Sequence, residues 1–113
     1  MPANPGEVEV TLDGKAFVLR STLRAAKEVS ASAGGFIGAY QRLAAFDFST
    51  YVAIVAAGLG KRSSDVEDAV YATGIAPLSA PLSRFVQLLA NGGKEPEEPK
   101  GLDDEEGTSS GEA

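Results

Sequence analysis

The chain has 113 residues and a mass of 11.6 kDa, room for one domain with a modest core and none to spare for a second. It contains no cysteine and no histidine, which excludes disulfides, thiolate chemistry, the commonest metal ligands and the commonest general base. Its net charge of −6 lies wholly in the last 22 residues, since residues 1–91 carry eight acids and eight bases.

The opening segment, MPANPGEVEV, has neither the basic stretch nor the apolar run of a secretory leader, and no apolar stretch approaches the length of a membrane span. The expectation is a cytoplasmic protein with no membrane partner. Residues 1–5 read as a flexible lead-in to a domain over 6–91.

Residues 6–20 predict a β-hairpin. Asp13-Gly14 separates two runs of alternating character, a strong two-residue turn signal. The turn sets the register: Leu12 opposite Lys15, Val10 opposite Phe17, Val8 opposite Leu19 and Glu7 opposite Arg20. One face then carries Val8, Val10, Leu12, Phe17 and Leu19. The other carries Glu7, Glu9, Thr11, Ala16, Val18 and Arg20, with Glu7 and Arg20 placed to pair. An isolated hairpin is marginal in water, so the apolar face must rest on the helices that follow.

The first helix is expected over 22–33, capped by Ser21 or Thr22, with Leu23, Ala26, Val29, Ser30 and Ala33 near one face. Gly34-Gly35 breaks it. A second helix over 36–46 places Phe36, Ile37, Tyr40, Leu43 and Ala44 at helical spacing. Asp47 and Phe48 read as a short connection, and Ser49 as the cap of a third helix running to about 59, ended by Gly58 and Gly60. Tyr51, Val52, Ile54, Val55 and Leu59 surround that helix, so it should be the most buried element. Ser64-Asp65-Val66-Glu67 reads as a capping box before a short fourth helix that turns Val66, Ala69 and Val70 inward and closes at Gly74. Pro77 and Pro81 mark the start of a fifth, with a stripe of Leu78, Leu82, Phe85, Val86 and Leu89 and a stop at Asn91-Gly92. The fold class is α+β, mostly α: one N-terminal hairpin, four or five short helices, and a tail.

The tail, residues 92–113, has one large apolar residue, Leu102, among eight acids and two lysines. Such a segment cannot bury enough surface to offset the entropy of ordering it, and it reads as disordered. An acidic tail on a neutral body gives no basic face for phosphates, so nucleic acid is not an expected partner.

No residue pattern points to catalysis, a cofactor or a metal, and the expectation is a protein that is not an enzyme. Asp65 and Asp68 stand where acids suit the start of a helix. The segment Gly58-Leu59-Gly60-Lys61-Arg62-Ser63-Ser64 lacks the spacing of a nucleotide loop and follows a helix, so it reads as a helix stop with a basic pair. Lys61 and Arg62 could form a small docking patch. Of the aromatics, Phe36, Tyr40, Phe46, Phe48 and Tyr51 crowd the middle of the chain, and some should reach the surface as anchors for a partner protein.

The order of features carries more than any single motif. Gly6-Glu7-Val8, Leu12-Asp13-Gly14-Lys15, Phe17-Val18-Leu19-Arg20-Ser21-Thr22-Leu23 and Val52-Ala53-Ile54-Val55-Ala56-Ala57-Gly58-Leu59 make residues 4–91 resemble the gene transfer agent family of phage tail proteins. The segment Ser30-Ala31-Ser32-Ala33 is smaller and more polar than the corresponding helix of that family. The resemblance implies a tail assembly protein with no catalytic residues. Its partners would be the tape measure protein or other tail proteins, with a homo-oligomer left open, and its location the host cytoplasm or the virion tail. Two roles are attached to the family, tail tube component and tail assembly chaperone. One hairpin and a set of helices cannot close a tube ring alone, which favours the chaperone. A small acidic protein-binding adapter is the remaining alternative.

Overall fold

The computed structural model describes residues 4–94. Two strands, β1 (Glu7–Leu12) and β2 (Lys15–Arg20), pair antiparallel in the register expected from the sequence. Asp13 and Gly14 both take positive φ, 51° and 81°, as a tight hairpin turn of this hand requires. The backbone N–H of Asp13 donates to Thr73 Oγ1 at 2.7 Å, which ties the turn to a helix sixty residues on. Val8, Val10, Leu12 and Leu19 are buried, while Phe17 is half-buried at the edge of the same core. On the opposite face Arg20 Nε reaches Glu7 Oε2 at 3.6 Å.

The strand pair is followed by five helices: α1 (Leu23–Ala33), α2 (Phe36–Ala44), α3 (Phe48–Leu59), α4 (Glu67–Thr73) and α5 (Ser79–Ala90). Short 3-10 turns at Ser63–Asp65 and Ala76–Leu78 lead into the last two. α3 is the central element. It packs against α1, α2, α4, α5 and β2, and eight of its twelve residues are buried. α5 covers β1 and α2, with Leu82, Phe85, Val86, Leu88 and Leu89 in the core.

One open local expectation is resolved and several others are corrected. Thr22 alone caps α1, its hydroxyl accepting from the N–H of Ala25 at 3.0 Å. Ser21 instead donates to the Gly6 carbonyl at 2.6 Å and closes the base of the hairpin. α1 buries Ala25, Val29 and Ala33 and leaves Leu23 77% exposed. The small Ala25 lets α1 settle closely on its neighbours, which turns Leu23, in the first turn, away from the core. α2 stops at Ala44, two residues short of the expected end. It buries Ala39 and Leu43 and leaves Ile37 69% exposed and Ala44 exposed.

Gly58 does not end α3; Gly60 does, at φ 69°. A Cβ at Gly58 would lie 2.8 Å from Leu19 Cβ and 3.1 Å from Phe85 Cζ, so this glycine lets strand, central helix and last helix come close together. The capping box at Ser64 does not form. Ser63–Asp65 is a 3-10 turn, and α4 starts after Val66 with no side-chain cap. Asp65 is held instead by Arg62, at 3.5 Å.

The chain is also held beyond residue 91. The N–H of Gly93 donates to the Leu88 carbonyl at 2.7 Å and Asn91 Nδ2 to the Lys94 carbonyl at 2.9 Å, while Gly93 approaches Gly6 and Ser21. Residues 92–94 therefore belong to the end of α5 rather than to the tail. At the other end Asn4 and Pro5 lie in a turn closed by the Glu7 N–H on the Asn4 carbonyl, 3.0 Å. The expected tail disorder from residue 95 onward, and the lead-in residues 1–3, lie outside the described residues.

Candidate functional site

The aromatic middle of the chain is organised by the corner between α2 and α3. α2 ends in a Schellman arrangement: the N–H of Asp47 donates to the Arg42 carbonyl at 3.0 Å and that of Phe46 to the Leu43 carbonyl at 3.1 Å. The position after the C-cap needs a left-handed backbone and is usually glycine. Here it is Phe46, at φ 57°. Asp47 then caps α3 directly, accepting from the Thr50 N–H at 3.2 Å and from the Thr50 hydroxyl. The cap is thus Asp47 rather than Ser49, and Phe48 is the first residue of the helix rather than part of a connection. One residue serves as the end of one helix signal and the start of the next, so the corner is tight, and Phe46 and Phe48 flank Asp47 in it, both partly exposed.

The fates of the aromatics differ. Tyr51 is fully buried and its hydroxyl donates to the Leu43 carbonyl at 2.7 Å. It belongs to the core and not to any binding surface, a correction to its place among the partner-binding candidates. Phe46 packs its ring edge-on against Tyr51, centroids 6.4 Å apart, yet stays 55% exposed. Phe48 is 38% exposed and meets Tyr71 of α4 edge-on at 6.5 Å. Tyr71 is itself 80% exposed. Phe36 and Tyr40, one helical turn apart on α2, are half-buried against the core, and burial pushes the Tyr40 hydroxyl above the usual phenol range.

Lys61 and Arg62 are exposed but stand at the far end of α3 from Phe48, some 17 Å away for a helix of this length. With Arg24, Glu28 and Ser63 they rim a shallow groove floored by Ala53, Ala56 and Ala57. The structure therefore separates the expected docking residues into an aromatic surface (Phe46, Phe48) and a remote basic pair. It adds Tyr71 to the first. The signal for Tyr71 was present in the sequence: Val66, Ala69 and Val70 point inward, which leaves a large aromatic one residue further round on the outer face of α4.

Among the described residues no group of three or more acidic side chains is placed to hold a metal ion, and no helix is long and apolar enough to cross a membrane. Searches against protein-family models, curated proteins and solved structures returned no match.

Proposed function

We propose that this protein is a tail assembly chaperone of a phage or gene transfer agent, which covers an apolar stretch of the tape measure protein during assembly and is absent from the finished particle. The observation that carries the reading is the exposed aromatic surface of Phe46, Phe48 and Tyr71 on a body whose charges balance. Large aromatics left in water on a small domain favour a partner that covers them. The resemblance of residues 4–91 to the gene transfer agent tail family supplies the biological setting, and the predominance of short helices over strands suits a client-binding module better than a ring-forming one.

The alternative within the same setting is a structural part of the tail tube or connector. It is favoured by the two-stranded sheet, whose outer edges have no strand partner among the described residues and could extend a neighbour's sheet. Co-expression with the tape measure protein of the same phage or gene transfer agent, followed by pull-down, separates the two when paired with mass spectrometry of purified particles. A soluble complex with no copies in the particle supports the chaperone. No complex, with stoichiometric copies in the particle, overturns it.

A further inference from the structure

Gly92 and Gly93, past the end of α5, line a cavity of about 300 Å³ together with Leu89 of α5 and with Ser21, Leu23 and Ala26 at the start of α1. The hydroxyls in its wall are engaged. Ser21 donates to the Gly6 carbonyl at 2.6 Å, and Thr22 accepts from the Ala25 N–H at 3.0 Å. The rest of the side-chain wall is aliphatic, and Leu23 in it is 77% exposed. Such a cavity favours an apolar side chain over an ion or a polar ligand.

The chain itself carries a fitting side chain. Residues 95–113 contain a single large apolar residue, Leu102. Lys94 follows directly on the cavity wall, and the eight steps from residue 94 to residue 102 span up to about 26 Å, so reach is not limiting. Glu98-Pro99-Lys100-Gly101 has proline and glycine at the second and fourth positions favoured in a type I turn, a signal that bends the chain back just before Leu102. The charges agree. Around the start of α1, Arg24 pairs with Glu28 at 3.0 Å and Arg20 with Glu7 at 3.6 Å. Lys27, one helical turn after Leu23, and Lys94 have no acidic side chain within salt-bridge distance among the described residues. Leu102 is followed by Asp103-Asp104-Glu105-Glu106.

We propose that Leu102 occupies this cavity and pins the C-terminal segment of the same chain across the start of α1, with Asp103 and Asp104 beside Lys27. The leucine supplies the contact area, and the acids set the direction in which the segment leaves. Met1 is the competing occupant, because residues 1–3 precede Asn4 and Gly6 lies against Ser21 and Gly93. Leu102 is favoured by the turn signal before it and the acids after it, which residues 1–3 lack. Phe46, Phe48 and Tyr71 do not line the cavity, so the proposal stands apart from the chaperone reading and leaves that surface open. One leucine closing a seven-residue loop (95–101) onto a surface cavity is a local contact, which local probes read and a global melt barely registers.

The chain has no cysteine, so an introduced disulfide reports on the contact without interference. Lys27→Cys with Asp104→Cys leaves Leu23 and Leu102 in place in the full-length protein. Under mild oxidation this pair should close within one chain at least fivefold faster than in the same protein carrying Leu102→Ser as well. Raising the salt from about 0.05 M to about 0.5 M should slow closure less than twofold, because the anchor is apolar. In the protein without introduced cysteines, Leu102→Ser should move the backbone amide NMR signals of Leu23, Ala26 and Gly93 and leave those of Asp47 and Tyr71 in place. Equal closure rates with and without Leu102, or amide signals that ignore Leu102→Ser, overturn the proposal. Closure lost at high salt overturns it too, by assigning the contact to the acids alone. Amide signals that respond to peroxide oxidation of Met1, the sole methionine, and not to Leu102→Ser would put residues 1–3 in the cavity instead. Closure between chains that grows with protein concentration would put a second copy there, and either result overturns the proposal.

Discussion

Phe46 and Tyr51 meet edge-on with ring centroids 6.4 Å apart, and they occupy the two positions of a hydrophobic staple, one before the cap of α3 and one four residues into it. Tyr51 is anchored from below by its bond to the Leu43 carbonyl in α2, so the pair joins the end of one helix to the start of the next. This explains how a bulky residue is kept at φ 57°, a conformation that costs about 1–2 kcal/mol for a side chain bearing a Cβ.

Phe46→Gly relieves that backbone cost and loses the half-buried ring, so the two effects oppose one another. Thermal stability should change by no more than about 1 kcal/mol, within roughly 4–8 °C of midpoint for a domain this size. Partner binding should fall clearly. A melt run alongside a binding titration checks both, and intact binding would remove Phe46 from the site.

Tyr51→Phe keeps the staple and leaves the buried Leu43 carbonyl without its hydroxyl donor. Because that carbonyl still accepts from the Phe46 N–H, the loss should be about 0.5–1.5 kcal/mol, read by chemical denaturation, with binding unaffected at temperatures where the variant is folded.

Gly58→Ala puts a methyl group against Leu19 and Phe85 in the core. Overpacking costs about 1–3 kcal/mol, set against a helix-propensity gain of about 1 kcal/mol. The variant should be less stable than the parent. A more stable one would show that the hairpin moves freely off α3.

Leu19 and Phe17 share the hairpin's apolar face, yet only Leu19 is fully buried. Leu19→Ala should cost about 2–5 kcal/mol, a large share of the 5–15 kcal/mol typical of a domain. Phe17→Ala, at a half-buried position on the same face, should cost less. Equal losses would mean that the hairpin seats more deeply than its side-chain burial indicates.

Among the described residues the core runs from Val8 to Leu89, and the backbone bonds furthest along the chain come from Gly93, to Leu88, and Lys94, to Asn91, while the residues beyond include one large apolar side chain, Leu102. Truncation after Lys94 should therefore leave the melting midpoint within about 5 °C of the full chain's, while truncation after Ala90, which removes the bonded end of α5, should lower it further.

The hairpin and its register were legible because period-two alternation around Asp13-Gly14 leaves one pairing that buries Val8, Val10, Leu12 and Leu19 together. The burial of α3 was legible from an apolar sequence with no polar side. The sequence was less informative where small residues decide the packing. Ala25 and Ala39 are buried while Leu23 and Ile37 are not, because close helix approach is worth more there than the larger side chains' own transfer energy. Capping was misplaced by two residues at α3, because Asp47 lies in an Ala-Phe-Asp-Phe stretch that masks the cap behind aromatics, and a serine two positions later offers the same chemistry. The candidate surface was half legible. Phe46 and Phe48 were named from their crowding, Tyr51 was not separable from them without knowing that α3 is central, and Tyr71 comes to Phe48 only through the packing of α4 against α3.

The central claim is that the surface of Phe46, Phe48 and Tyr71 binds a partner protein. Hydrogen–deuterium exchange of the full chain, alone and saturated with the co-expressed tape measure product, tests it most directly. The account predicts added protection concentrated in residues 45–51 and 67–73, with the hairpin and the Lys61-Arg62 turn unchanged. Protection confined to the hairpin, or to the groove beside Lys61 and Arg62, would contradict it.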